Sequence, residues 1–137
     1  MNNLNNPKGF TLVEFLVAIC ILGIGILGLA GLQVTAIKGN LGSKNLSTAN
    51  VLAERKMEEF KNTPFNSLAP VTNHADPYNP LNSNGLGGGS NDGRIFNRFW
   101  SIASHAGSSN MKRITVTITW TEGGRTRSTS LDTVISN

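Results

Sequence analysis

One side chain in this sequence stands where chemistry would need it to be explained. Glu14 lies five residues after Gly9 in Gly9-Phe10-Thr11-Leu12-Val13-Glu14, and residues 15–37 behind it hold no charged side chain. An ionisable group at the start of such a run is expensive to dehydrate and is a functional candidate by default. Near a helix start it is tolerated, because the helix dipole favours a negative charge there by about 0.3–1 kcal/mol. Packed dry among apolar helices it needs a cation. The remaining reactive types form no constellation. His74 and His105 stand apart, without a ligand set at metal spacing. Cys20, the single cysteine, lies inside the apolar run, so it cannot form an intrachain disulfide or serve either histidine as a nucleophile. Asp76, Asp92 and Asp132 are scattered. No catalytic residue, metal ligand or cofactor-binding residue is expected, and the chain is read as no enzyme.

The element that positions Glu14 is the apolar run itself. As a helix, residues 15–37 are long enough to cross a bilayer core of about 30 Å. The run is apolar on every face, which a core helix of a small domain could not bury. A secretory signal peptide is the competing reading. Its apolar segment usually spans about 7–15 residues, shorter than this one. Its cleavage site here would be Val34-Thr35-Ala36, and its basic head holds Lys8 alone. A lipoprotein signal fails because Ile19, not a small residue, precedes Cys20. Lys8 weakly favours a cytoplasmic N-terminus, although Lys38 and Lys44 follow the run. Gly23, Gly25, Gly28 and Gly31 each weaken a helix in water by about 1 kcal/mol relative to alanine. In lipid the backbone stays hydrogen-bonded and small residues let neighbouring helices approach closely.

The rest of the 137 residues makes one small domain, with a net charge of +4 and a hydrophobic share of 39% concentrated before Leu32. Leu46, Ala49, Ala53, Met57 and Phe60 recur at helical spacing and predict a core-facing stripe, with charged residues 54–56, 58 and 59 on the other faces. A single helix over residues 10–61 would be about 78 Å long. Gly39 and Gly42 are the points at which it would kink or fray, and Pro64 ends it. Residues 64–93 carry Pro64, Pro70, Pro77, Pro80 and the Gly87-Gly88-Gly89 triplet, and read as a loop without regular structure. The triplet is no phosphate loop, since no Lys-Ser or Lys-Thr closes it. Three strands follow. Residues 95–103 alternate Phe96, Trp100 and Ile102 on one side, with Arg98 among them; residues 111–121 place Ile114, Val116, Ile118 and Trp120 opposite a threonine row. After a turn at Glu122-Gly123-Gly124, residues 125–135 bring Leu131, Thr133 and Ile135 to one face. The apolar face of this meander has the helix stripe as its partner.

The six residues from Gly9 to Glu14, with the apolar run behind them, resemble the processing motif of type IV prepilins. The continuation Ile21-Leu22-Gly23-Ile24-Gly25-Ile26-Leu27-Gly28-Leu29-Ala30-Gly31-Leu32-Gln33 is similar to PilV-like minor pilins, the type IV pilus modification proteins. The resemblance implies a pilin-like α+β fold, with a long N-terminal helix packed on a small antiparallel sheet. It further implies cleavage after Gly9 by a prepilin peptidase, N-methylation of Phe10 by the same enzyme, and subunit assembly guided by Glu14. With the cut made, Glu14 would stand about 6 Å along the helix from the new ammonium. In a filament, its cation would be the ammonium of an adjacent subunit. At about 4 Å and an effective dielectric of about 20, such a pair is worth about 4 kcal/mol before desolvation, so it would set axial register more than net stability.

The expected organisation is a leader over residues 1–9, a transmembrane and assembly half of the helix over 10–37, an amphipathic half over 38–62, an αβ-loop over 63–94 and a β-meander over 95–137. The expected partners are prepilin peptidase, other major and minor pilins and the inner membrane. The C-terminal domain is expected in the periplasm, and on the pilus after assembly. Three alternatives remain at this point: a minor pseudopilin of a type II secretion system, a DNA-uptake minor pilin, and a generic single-pass protein with a periplasmic ligand-binding domain. The nucleic-acid alternative rests on Arg94, Arg98, Arg125 and Arg127 meeting near Trp100 on one sheet surface.

Overall fold

A computed structural model describes residues 9–88, 93–104 and 110–137. Lys8, Asp92 and His105, each named above, lie outside the described residues. The elements are a helix α1 (Leu12–Lys61), a 3-10 turn (Phe65–Ser67) and strands β1 (Val71–Ala75), β2 (Phe96–Ser104), β3 (Met111–Glu122) and β4 (Arg125–Ser136). The strands form one antiparallel sheet in the order β1-β2-β3-β4. The fold is α+β: one long helix, packed by its C-terminal part on a four-stranded antiparallel sheet. By compactness the chain divides between Asn40 and Leu41.

In the first unit the helix keeps every described large apolar side chain exposed, among them Phe15, Leu22, Ile26 and Leu32. α1 is, among the described residues, the one helix long and apolar enough to cross a membrane. It begins at Leu12 rather than at Phe10, and it continues through Gly39 and Gly42 without a break.

The second unit holds the core. Strand alternation sends Ile114, Val116, Ile118 and Trp120 of β3 inward, next to Phe96 and Ile102 of β2. Ala49, Leu52, Ala53, Met57 and Phe60 of α1 meet them. Burial of each large apolar side chain contributes about 1.5–3 kcal/mol. The helix stripe differs from expectation at two positions. Leu52, outside the expected stripe, is fully buried, whereas Leu46, within it, is 45% exposed. A helix face wide enough for this core includes the i+3 neighbour of Ala49, which is Leu52. Leu46 stays exposed although Gly42, a turn earlier, faces Glu122 of β3. Phe60 meets Trp100 edge-on at 5.7 Å, and Lys56 Nζ lies 4.5 Å from the Trp100 ring centre while it pairs with Glu59 at 2.7 Å.

The described residues of the 64–93 stretch do not form the structureless loop that its prolines and glycines suggest. They contain the 3-10 turn, β1 and an ordered crossing of the sheet edge. After Ala75 the chain keeps running along β2. Asp76 N–H donates to the Arg98 carbonyl at 2.9 Å, and Leu81 exchanges two backbone hydrogen bonds with Phe96 at 2.8 and 3.0 Å. Between them the Asn79 side chain substitutes for backbone: its Oδ1 accepts from Arg98 N–H at 2.9 Å and its Nδ2 donates to Arg98 O at 2.8 Å. Pairing with a partner far along the chain organises this stretch, and local propensity does not report such pairing. Gly87 is required in it, because a Cβ there would stand 2.6 Å from the Tyr78 carbonyl oxygen.

Arg98 and Asp76 also depart from expectation. Arg98 shares the inward face of β2 with Phe96 and Ile102, so its guanidinium cannot belong to an exposed basic surface. Its Nε and Nη2 donate to Asp76 Oδ2 at 2.8 and 2.5 Å, and its Nη1 donates to the Leu52 carbonyl at 3.3 Å. The Asp76 side chain is 2% exposed, and its Oδ1 accepts from Tyr78 N–H at 2.9 Å. Arg94 reaches Thr48 on α1 at 3.3 Å, whereas Arg125 and Arg127 stand on β4. Trp100 is flanked by Lys56, Phe60 and His74 instead. The four-arginine cluster behind the nucleic-acid alternative therefore does not form.

The β3–β4 hairpin closes on Gly123 and Gly124, whose φ values of +57° and +76° suit the two central positions of a type I′ turn. Thr129, Thr133 and Ile135 of β4 are half-buried as their alternation predicts, but Leu131 on the same face is 36% exposed. β4 is an edge strand beyond the covered core on β2 and β3.

A buried pair that loses one partner leaves an uncompensated charge, a cost of about 3–5 kcal/mol, whereas apolar replacement of both partners is often near neutral. Asp76→Ala is therefore expected to lower the stability of the full chain in detergent by about that amount. The double variant Asp76→Leu with Arg98→Met should recover most of the loss. Urea unfolding followed by Trp100 and Trp120 fluorescence measures both, and equal destabilisation by the two variants contradicts the ion-pair account. Ile118→Ala, a fully buried truncation, is expected to cost about 2–5 kcal/mol in the same assay.

Candidate functional site

Gly9 and Phe10 precede the helix and have no regular structure; the Phe10 side chain is 89% exposed. The peptide bond between them thus lies outside regular structure, just before the first turn. Thr11 is the N-cap. Its Oγ1 accepts from Glu14 N–H at 3.2 Å, Glu14 Oε2 accepts from Thr11 N–H at 3.3 Å, and Thr11 O takes the first helical bond from Phe15 N–H at 3.2 Å. This is a capping box, in which two otherwise orphaned backbone donors are satisfied reciprocally. The Thr11 hydroxyl also donates to Glu14 Oε2 at 3.4 Å.

The arrangement gives Glu14 a local task beyond the dipole effect expected for it. One carboxylate oxygen ties down the helix start, directly after Phe10. The other, Oε1, takes no hydrogen bond among the described residues. Glu14 is exposed in the single chain, so the dry environment that would demand a cation has to come from neighbouring helices. Thr11 is the functional residue that the sequence reading missed. Its signal was present as Thr11-x-x-Glu14 before an apolar run, the pattern of a capping box.

The other chemistry-bearing residues are dispersed. Cys20 is exposed on α1. His74 stacks on Trp100 with ring centres 4.8 Å apart. Asp132 accepts from the Thr115 hydroxyl at 2.5 Å across the β3–β4 pair. No group of three or more His, Cys, Asp or Glu side chains able to hold a metal ion occurs among the described residues.

Residues 4–30 match the family described as the prokaryotic N-terminal methylation motif. The chain carries a type IV prepilin-like N-terminus. Its long helix on a four-stranded antiparallel sheet is the α+β arrangement of a type IV pilin, and the apolar start of that helix fits anchoring in the inner membrane. The motif implies processing by a prepilin peptidase and assembly with other pilins, and its family is structural rather than enzymatic. No curated protein and no solved structure matches the chain.

Removing the cap and removing the charge are separable. Thr11→Val is expected to cost the first turn about 1 kcal/mol, whereas Thr11→Ser keeps it. Glu14→Gln retains the capping-box geometry, because glutamine serves at that position as well. Amide hydrogen exchange at Val13, Glu14 and Phe15 measures this: about fivefold faster in Thr11→Val, and little changed in Glu14→Gln.

Proposed function

We propose that this chain is a PilV-like minor pilin: an inner-membrane subunit that is cut between Gly9 and Phe10 and methylated on the new Phe10 amino group. It then takes part in type IV pilus assembly or initiation through its N-terminal helix. The observation that carries this reading is the prepilin motif at residues 4–30, which contains an exposed Gly9-Phe10 junction directly before a capped helix. The glycine and the exposed, non-helical chain give a peptidase room around the scissile bond. The cut leaves Phe10 as the residue before the N-cap, so the new ammonium emerges at the helix start. Gly9 and Phe10 are recognised and modified sites, and the catalytic groups belong to the peptidase. Prepilin peptidase and other pilins are the partners; the sheet domain lies in the periplasm and is carried onto the cell surface with the filament.

In this scheme Glu14 Oε2 keeps its bond to Thr11 while Oε1 faces the ammonium of a neighbouring subunit. A dry pair of this kind penalises any docking position that leaves the carboxylate alone. It therefore selects axial register. Glu14→Gln leaves the helix start intact and should remove that selection.

Mass spectrometry of the N-terminal peptide, in sheared filaments and in residual membranes separately, tests the proposal. The expected result is a peptide that begins at methylated Phe10 and is present in filaments. The same peptide confined to membranes would point to a pseudopilin of a secretion system. An intact Met1, or a start near Ile37, would overturn the reading in favour of a plain anchor or a signal peptide. Glu14→Gln is expected to be processed normally and to fall at least about tenfold in the filament fraction, since each factor of ten corresponds to about 1.4 kcal/mol.

A further inference from the structure

The second unit exposes two complementary charge pairs that find no partner among the described residues. Ser47, Val51, Glu54 and Glu58 follow one another at spacings of four, three and four residues, so they share one face of α1. All four are exposed, and that face is turned away from the buried row of Ala49, Ala53, Met57 and Phe60. Glu54 and Glu58 stand one helical turn apart, a mutually repulsive arrangement. Among the described residues neither has an ion pair or a side-chain hydrogen bond. Glu59, around the helix from them, is held by Lys56 at 2.7 Å. On β4, Arg125 and Arg127 are exposed and likewise lack a partner among the described residues. They lie two residues apart, hence on one face of the strand, in register with Glu122 and Trp120 of β3.

The two pairs match in spacing as well as in sign. Glu54 and Glu58 are separated by about 6 Å along the helix axis. Arg125 and Arg127 are separated by about 6.8 Å along the strand. Both carboxylates can therefore meet both guanidinium groups at once. They cannot do so within a chain. The helix residue facing Glu122, the β3 partner of Arg125, is Gly42, and Glu58 lies about 24 Å further along the helix.

We propose that the outer face of α1 at Val51, Glu54 and Glu58 docks the basic end of β4, Arg125 and Arg127, of a second copy of this chain. The contact is heterologous, since the patch on one copy differs from the patch on the next. Such a contact does not by itself close a symmetric pair. Exposed ion pairs are individually weak and screened by salt. The contact thus orients copies that the apolar helices bring together, and it is salt-sensitive. It rests on the assembly reading above only for the anchoring of copies side by side in one membrane.

Two tagged forms of the full chain, both carrying Cys20→Ala, test the contact when co-expressed and treated in membranes with a bismaleimide. One carries Val51→Cys, beside the acidic pair; the other carries Thr126→Cys, between the arginines. A mixed product bearing both tags is expected. Its yield should fall at least about fivefold when Glu54→Arg and Glu58→Arg are added to the first form, and return when Arg125→Glu and Arg127→Glu are added to the second. A yield unchanged by charge reversal, or not restored by the swap, overturns the contact. The N-terminal peptide from the same membranes separates the two readings. A start at Phe10 without the mixed product overturns this contact alone, whereas an intact Met1 overturns the assembly reading.

Discussion

The sheet domain depends on a guanidinium placed where an apolar side chain would normally stand. Arg98 occupies an inward position of β2 between Phe96 and Ile102, so it arrives in the core by strand alternation. A charge there is tolerable only if paired and hydrogen-bonded. Asp76 supplies the counter-charge, the Leu52 carbonyl takes one further donor, and Asn79 holds the Arg98 backbone from the side. These contacts tie together α1, β2 and the segment that follows β1. The residues that look most like a loop are thereby fixed against the sheet edge. The pair imposes one arrangement, because any slip of Asp76 leaves a buried charge without its partner.

The N-terminal unit is organised by the opposite constraint. Its side chains are apolar and exposed, so its stability depends on an apolar environment that the single chain does not supply. The polar side chains at its start are correspondingly few. Thr11 and Glu14 satisfy each other's backbone donors, and one carboxylate oxygen is left over. A helix that enters an apolar environment cannot leave its first amides bare. The capping box lowers that cost without using the whole charge of Glu14, so one residue can start the helix and still present an acceptor to a neighbour.

In the second unit, the face of α1 opposite the core carries Glu54 and Glu58, and β4 carries Arg125 and Arg127 at the uncovered edge of the sheet. A long edge strand is a hazard that charged residues help to blunt. Arginines at one end of β4 discourage unselective strand pairing and are at the same time free to choose an acidic partner.

Much of this molecule was determined by its sequence through local and periodic signals. The apolar run, the carboxylate at its head, the Gly9-Phe10 junction, the alternation of residues 111–121 and the Gly123-Gly124 turn each follow from nearby residues, and the structure has β3 and its hairpin as that alternation requires. The helix start was equally local, since Thr11 and Glu14 are three residues apart. Tertiary structure alone decided the features whose partners are distant. β1 exists because Val71, His74 and Ala75 find Ile102, Trp100 and Phe99, more than twenty residues away. Leu52 is buried and Leu46 is not, although both fit the helical spacing of a core face, because the packing of the sheet decides which of them is covered. Arg98, a surface residue by type, became a core residue because Asp76 and a helix carbonyl waited on the inner side of β2. Periodicity reports which residues share a face, but what lies against that face is a long-range property, and burial, pairing and charge neutralisation are settled there.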